Sequence, residues 1–279
     1  MSLTVNTNMS AMIAQRSLFG ANSEVSTSMQ RLSTGLRINS AGDDAAGLSL
    51  SKKLSSQISA ADMAKTNAQT SINMIQTAES DLSVIQDNLQ RMRDLSVQAA
   101  NGVYSTSERK MLSAEYNTRA AEIDRIAQSS SFSDRKLLDG SFTSMAIQVG
   151  TNNSANDQIS LSTTTFRNFK AGNNGMPALA AAITTLALAQ AAITAMDTAI
   201  SAISNSRGAM GAVINRLQGS ITRIDTRKEN MTAANSIISD ADIAKESADL
   251  TKNQVLKQAA ISMLQQANQA PQAALTLLR

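Results

Sequence analysis

The sequence predicts a mainly α protein: a long antiparallel coiled-coil helical bundle with a small β-hairpin region and paired N- and C-termini. Three observations predict it. Helix breakers are scarce: the 279 residues include two prolines and twelve glycines, and neither type falls between Gly47 and Gly102 or between Gly219 and Pro271. Apolar residues recur at alternating three- and four-residue spacing in the long breaker-free runs. Both ends, residues 1–36 and 240–279, are amphipathic segments dressed in Ser, Thr, Asn and Gln, and such segments cannot bury an apolar stripe alone; they need each other, or copies of themselves.

Composition excludes most chemistry. The chain has no Cys, His or Trp, which removes the common zinc, iron and copper ligand sets, the thiol nucleophile and the usual general base. No phosphate loop, catalytic triad or metal-ligand spacing is present, so neither an enzyme nor a cofactor is expected. Asp43 and Asp44 lack the alternating oxygen ligands of a cation loop and read as part of a loop-and-cap segment, with Gly42 and Gly47 as turn residues. Aromatics make up 3% of residues against 42% hydrophobic, so Ala, Leu, Ile, Val and 14 Met must supply the apolar contacts; they suit close helix packing. The net charge of +3 comes with no basic stripe interleaved with aromatics, and nucleic-acid binding is not expected. Met1-Ser2-Leu3-Thr4-Val5 lacks the basic start and apolar run of a signal peptide. The charge-free stretch 171–196 is rich in Ala and Thr, too weakly apolar for membrane insertion to be expected.

The elements follow in order. Val25, Met29, Leu32 and Leu36 form the stripe of the first segment. Ile75, Ala78, Leu82, Ile85, Leu89, Met92, Ser96 and Ala99 form a heptad seam on a helix expected over 57–100, roughly 65 Å long at 1.5 Å per residue. Asn101-Gly102 ends that helix, and Ser105 with Glu108 fits a capping box opening the next, whose apolar face includes Leu112, Tyr116, Ala120 and Ile123. Alternation at Met145, Ile147 and Val149, and again at Ile159, Leu161 and Thr163, predicts a β-hairpin near 143–165. Pro177 reads as the first-turn proline of a third long helix. Its expected seam is Ile193, Met196, Ile200, Ile203, Arg207, Met210, Ile214, Leu217, Ile221 and Ile224, with Arg207 as a polar register-setting member. Leu256, Ala260, Met263, Ala267, Ala270, Ala274 and Leu277 form the last seam. Because that seam is mostly Ala, both ends are expected to order only on assembly.

Four strings carry a family resemblance: QRLSTGLRINSAGDDAAGLSLS at 30–51, LQRMRDLSVQAANG at 89–102, EIDRIAQSSSFSDRKLLDG at 122–140, and LTKNQVLKQAAISMLQQANQAPQAALTLLR at 250–279. Together, in this order and spanning nearly the whole chain, they resemble bacterial flagellin in a minimal form without large hypervariable outer domains. The resemblance implies a structural subunit that self-assembles as a homopolymer into the extracellular flagellar filament, a helical propeller for motility. It implies export, unfolded, through the flagellar type III route, without a cleaved signal. Filament cap and hook-junction proteins are implied partners, with an export chaperone on the C-terminal helix. It also implies an inner domain of 1–44 with 240–279 and an outer domain of 45–239. The assembly seam would comprise Ile75, Leu82, Ile85, Leu89, Met92, Ile200, Ile203, Ile214, Leu217, Ile221, Leu256, Met263 and Leu277.

Host flagellin receptors are further implied partners. Asp43, Asp44, Gly47 and Leu48 match the segment sensed by the plant receptor kinase, although Gly42 stands where the family usually has Lys. Arg91, Leu95 and Glu115 match positions read by the vertebrate Toll-like receptor; Arg91 and Leu95 fall off the 75–99 seam and are expected to be exposed. The dense Ser and Thr of 141–165 form a candidate O-glycosylation region. Two other readings stand beside this one: a hook–filament junction protein, and a chemoreceptor-like signalling coiled coil.

Overall fold

A computed structural model describes residues 7–162, 165–170, 172 and 182–277, with side chains in the last helix described as far as 269. Five α-helices are described: α1 Met9–Thr34, α2 Ala45–Ala99, α3 Thr106–Ser129, α4 Leu186–Ser239 and α5 Ile243–Leu277. Between α3 and α4 lie two antiparallel hairpins, β1 Ser131–Phe132 with β2 Arg135–Lys136, and β3 Ser144–Gln148 with β4 Gln158–Ser162. The chain forms two compact units, Met1–Ile58 with Glu229–Arg279, and Ser59–Lys228. The boundaries fall inside α2 and α4 rather than at 44/45 and 239/240.

In the first unit, α1 and α5 are paired antiparallel helices. Each covers the other's inward stripe. On α1 that stripe is Ala11, Ala14, Leu18, Ala21, Val25, Ser28 and Leu32, and on α5 it is Glu246, Leu250, Asn253, Lys257, Ala260, Leu264 and Ala267, all buried or half-buried. Met29 is therefore off the α1 stripe, and Leu256 and Met263 are off the α5 stripe; all three are exposed. Three polar contacts mark the antiparallel register. Asn8 Nδ2 donates to the Ala267 carbonyl at 2.7 Å, Lys257 Nζ donates to Asn22 Oδ1 at 2.9 Å, and Arg31 lies 3.7 Å from Glu246. Beyond them, Leu36 and Asp240 form an isolated antiparallel bridge, with Arg37 N–H donating to the Ser239 carbonyl and Ala241 N–H to the Gly35 carbonyl. Gly35 holds the left-handed φ of 70° that closes α1 with its N–H on the Arg31 carbonyl.

Helix α2 begins at Ala45, a dozen residues earlier than expected, because Asp44 Oδ1 accepts from the Gly47 N–H at 2.8 Å and caps it. Gly47 is helical, not a turn residue. It is glycine for space: a Cβ there would collide with the Asp44 carboxylate and lie 2.7 Å from Ile38 Cδ1.

The second unit is built around α2. Its expected seam is fully inward: Ile75, Ala78, Leu82, Ile85, Leu89, Met92, Ser96 and Ala99 are all buried. Tyr116, Ala120 and Ile123 of α3 join that core, with Leu112 packed at its edge. The α3 capping box is present as expected: Glu108 N–H donates to Ser105 Oγ at 3.3 Å and Ser105 N–H to Glu108 Oε2 at 2.7 Å. Arg109 donates to the carbonyls of Ala99 and Asn101, satisfying acceptors at the α2 C-terminus.

Helix α4 runs antiparallel to α2, and four ion pairs at one register record it. Lys228 meets Asp62 at 2.6 Å, Lys65 meets Asp225 at 2.8 Å, Arg207 lies 3.6 Å from Glu79, and Arg93 meets Asp197 at 2.6 Å. The buried stripe of α4 is Ala189, Ala192, Met196, Ala199, Ile203, Ser206, Met210, Val213, Leu217, Ser220 and Ile224. Met196, Ile203, Met210, Leu217 and Ile224 were expected on this stripe. Ile193, Ile200, Ile214 and Ile221 sit one position to its side and are half-buried, so the polar member is Ser206, and Arg207 flanks it, donating to Gln86 Oε1 at 2.8 Å. The reason is steric: a close helix contact takes the smallest side chain, and the bulkier neighbour packs at its rim.

Pro177 lies outside the described residues, but residues 182–185 are not helical and α4 starts at Leu186, where Thr185 caps it: the Leu188 N–H donates to Thr185 Oγ1 at 3.3 Å. By length and composition alone α4 could cross a membrane. Its most apolar stripe, however, packs inside the second unit.

The expected hairpin is β3–β4, with Met145 opposite Leu161 and Ile147 opposite Ile159; Ile147, Ile159 and Leu161 are buried. The shorter β1–β2 hairpin is not apparent in the sequence. Its two-residue turn places Ser133 and Asp134 at φ 45° and 64°, without the glycine that marks such turns. Leu137, Leu138, Phe142, Phe166 and Phe169 complete the core, with the Phe142 and Phe166 rings 4.5 Å apart.

Candidate functional site

Two kinds of surface carry the candidate residues. The first is the outer face of the α1–α5 pair. Several bulky apolar side chains lie off the seam: Ile13 is 60% exposed, Phe19 67% and Met263 60%. Met9, Met12, Met29, Val255 and Leu256 are also exposed. Ile13, Leu256 and Met263 line an open apolar groove along the pair, floored by Ala14, Ala21 and Ala260. Leu256 and Met263 are thus available to another chain. Ile75, Leu82, Ile85, Leu89, Met92, Ile203 and Leu217 are not, because they form the chain's own core; Ile200, Ile214 and Ile221 pack at its edge. Leu277 belongs to the part of α5 whose side chains lie outside the described set.

The second surface holds the receptor-matched positions. Arg91 of α2 forms a two-point pair with Glu115 of α3, its Nε donating at 3.0 Å and its Nη2 at 3.3 Å. Arg119 donates to the same carboxylate at 3.1 Å and to Asn88 Oδ1 at 3.2 Å. These hydrogen bonds, from Arg91 first and then Arg119, hold Glu115 below the usual carboxylate range and raise Arg91 above the usual guanidinium value. Arg91 is exposed as expected, but Leu95 is not. It is 1% exposed and sits in the core. The correction has a physical basis: α2 has partners on two sides, α3 and α4, so its buried face is wider than a single heptad seam. Arg119 and Asn88 complete this cluster and are missed by the sequence reading; the one-turn spacing of Glu115 and Arg119 on α3 gives no hint that both reach across to α2.

The segment at 39–48 is separately organised. Asp43 accepts from the N–H groups of Asn39 and Ser40 at 3.0 and 2.8 Å and from the Ser40 hydroxyl, and these bonds, led by Ser40, lower its pKa. Asp44 caps α2, Gly47 lies over Ile38, and Leu48 is half-buried in the first turns. Among the described residues there is no group of three or more His, Cys, Asp or Glu able to hold a metal.

Paired terminal helices, a long-helix core and apolar side chains turned outward define a coiled-coil structural protein. The comparisons are specific. The model of the bacterial flagellin N-terminal helical region matches residues 5–143, and that of the C-terminal helical region matches residues 193–278. The chain is 42% identical to the flagellar filament 33 kDa core protein of Treponema phagedenis and 40% identical to a flagellin of Halalkalibacterium halodurans, in each case over 99% of this chain and 100% of the relative. The crystal structure of Bacillus cereus flagellin superposes with a TM-score of 0.50 at 29% identity, covering 61% of this chain and 94% of that one. A chain described as a flagellar hook-associated protein from Vibrio parahaemolyticus gives a TM-score of 0.59 over 71% of this chain and 99% of that one, but at 16% identity it speaks to fold alone. This chain belongs to the bacterial flagellin family, in a compact form without a large hypervariable domain.

Proposed function

We propose that this chain polymerises with its own copies into an extracellular flagellar filament, using the outer faces of α1 and α5 as contacts between copies. The observation that carries this reading is the apolar outer face of the terminal pair, where Ile13, Phe19, Leu256 and Met263 are exposed. Burying such residues contributes about 1.5–3 kcal/mol each, which a second copy can supply and solvent cannot. Full-length likeness to a flagellar filament core protein supports the same reading. In this proposal the chain leaves the cell unfolded by the type III route, and cap, junction and chaperone proteins meet it on the way. Receptors of released monomer would read Arg91 and Glu115 directly, with Leu95 supporting that patch from beneath; the segment at Asp43, Asp44, Gly47 and Leu48 is a second recognition site.

Electron microscopy of purified chain seeded with short filament fragments tests the polymer reading. Long filaments are expected from the full chain, and none from a truncation lacking 240–279. Persistent monomers under seeding, or growth of the truncation at the full rate, would overturn it.

A further inference from the structure

The apolar seam between α1 and α5 is poorly suited to choosing its own register. Ala14 and Ala21 on α1, and Ala260 and Ala267 on α5, each lie one heptad apart on the inward stripes. Contacts among these alanines survive a one-heptad slip, so they contribute little to the choice of alignment. In coiled coils the register is then set by a polar group that finds its partner at one alignment only. Besides the Lys257–Asn22 and Arg31–Glu246 contacts, one such group stands at the far end of the pair, and a covalent feature of the other helix creates its partner.

Pro271 lies inside α5, which runs from Ile243 to Leu277. A proline has no N–H, so the carbonyl four residues earlier, that of Ala267, loses its helical donor. Ala267 is half-buried, where an unmet acceptor is costly. The donor arrives from the other end of the chain: Asn8 Nδ2 donates to the Ala267 carbonyl at 2.7 Å. The opposite side of the same amide is also used. Asn8 Oδ1 accepts from the Ala11 N–H at 3.0 Å and caps α1. The cap fixes which way the amide faces, and the orphaned carbonyl fixes where along α5 it must stand. We infer that Asn8 and Pro271 together form a register latch, in which the proline exposes the Ala267 carbonyl and the α1 cap residue claims it, setting the alignment of the terminal helix pair. Asn8 is thus a positioning residue, and its action concerns the single chain whether or not the chain polymerises.

The test separates the two functions of one side chain. Asn8→Asp keeps an oxygen for the cap and places a negative charge at a helix N-terminus, where it is favourable, but has no N–H to give. The chain is free of cysteine, so introduced pairs report register: Leu18→Cys with Ala260→Cys for the native alignment, and Leu18→Cys with Asn253→Cys for a slip of one heptad. In the full chain, oxidation should favour the native pair strongly. Asn8→Asp should move the ratio of native to slipped cross-link several-fold toward the slipped one. In a Pro271→Ala background the helix regains its own donor to Ala267, and the same Asn8→Asp change should then have little effect. An unchanged ratio for Asn8→Asp in the parent chain would overturn the latch. So would an equal shift in both backgrounds, because the carbonyl freed by the proline would then not be what Asn8 acts through.

Discussion

Ser206 shows what a buried seam asks of one residue. It lies on the central line of α4 and is 1% exposed, and its hydroxyl has no hydrogen-bond partner. Its place on the seam follows from its size and not from its polarity, since Ala199 and Val213 occupy the equivalent positions one heptad away. Ser206→Ala is therefore expected to raise stability by about 1 kcal/mol, the cost of an unmet buried hydroxyl. Ser206→Leu is expected to lower it by about 1–3 kcal/mol through overpacking. Urea unfolding of both variants, compared with Arg207→Leu at the adjacent flanking position, measures the difference. A larger loss for Arg207→Leu than for Ser206→Leu would return Arg207 to the seam.

Among the elements, the ladder between α2 and α4 reads as a charge code. Asp62 and Lys65 on α2 are matched by Lys228 and Asp225 on α4, with the signs reversed. A slip of three residues in one direction sets Asp62 against Asp225, and in the other direction Lys65 against Lys228. Each pair is about 40% exposed or more and is worth little as an attraction, but like charges penalise the wrong alignment. Asp62→Lys is expected to cost on the order of 0.5–1 kcal/mol at low salt, and Lys228→Asp added to it should restore most of that; a double-mutant cycle with and without added salt checks the coupling. Additive losses would show that the pairs do not interact. The ladder also marks how far sequence reading reaches. The α2 seam is legible because its inward residues are both bulky and central. Parts of the α1 and α4 seams are missed by one position, because ranking residues by hydrophobicity selects Met29, Ile200 and Ile214, whereas close contact selects Ser28, Ala199 and Val213; on α5 the expected Ala260 and Ala267 are inward and Leu256 and Met263 are not. The β3–β4 hairpin follows from period alone. Pairings between distant positions, such as Asp62 with Lys228, have no local signature.

For the molecule as a whole, pH brackets stability from both sides. Asp43, Glu108, Glu115, Glu122 and Asp139 all have folded pKa values below their ordinary 3.8 or 4.5. Their contribution is present above those ordinary values and is lost as pH falls through the lowered ones. At the other side, burial pushes the Tyr116 hydroxyl from 10.0 up to about 12, so its contribution is complete below 10.0 and is lost as pH rises toward 12. The melting temperature is expected to be flat between these limits and to drop outside them, and Tyr116→Phe should flatten the alkaline limb; an unchanged alkaline limb would place the loss elsewhere. One last consequence concerns variation. Where a seam position is a buried alanine, only the smallest side chains fit without strain, so Ala192, Ala199 and Ala260 accept Ser more readily than larger residues. The outward positions carry the opposite rule, tolerating any bulky apolar residue that keeps the face dry. Two chains of this kind can therefore diverge widely in their outward large residues and still fold alike, while added bulk at a close-contact alanine costs about 1–3 kcal/mol.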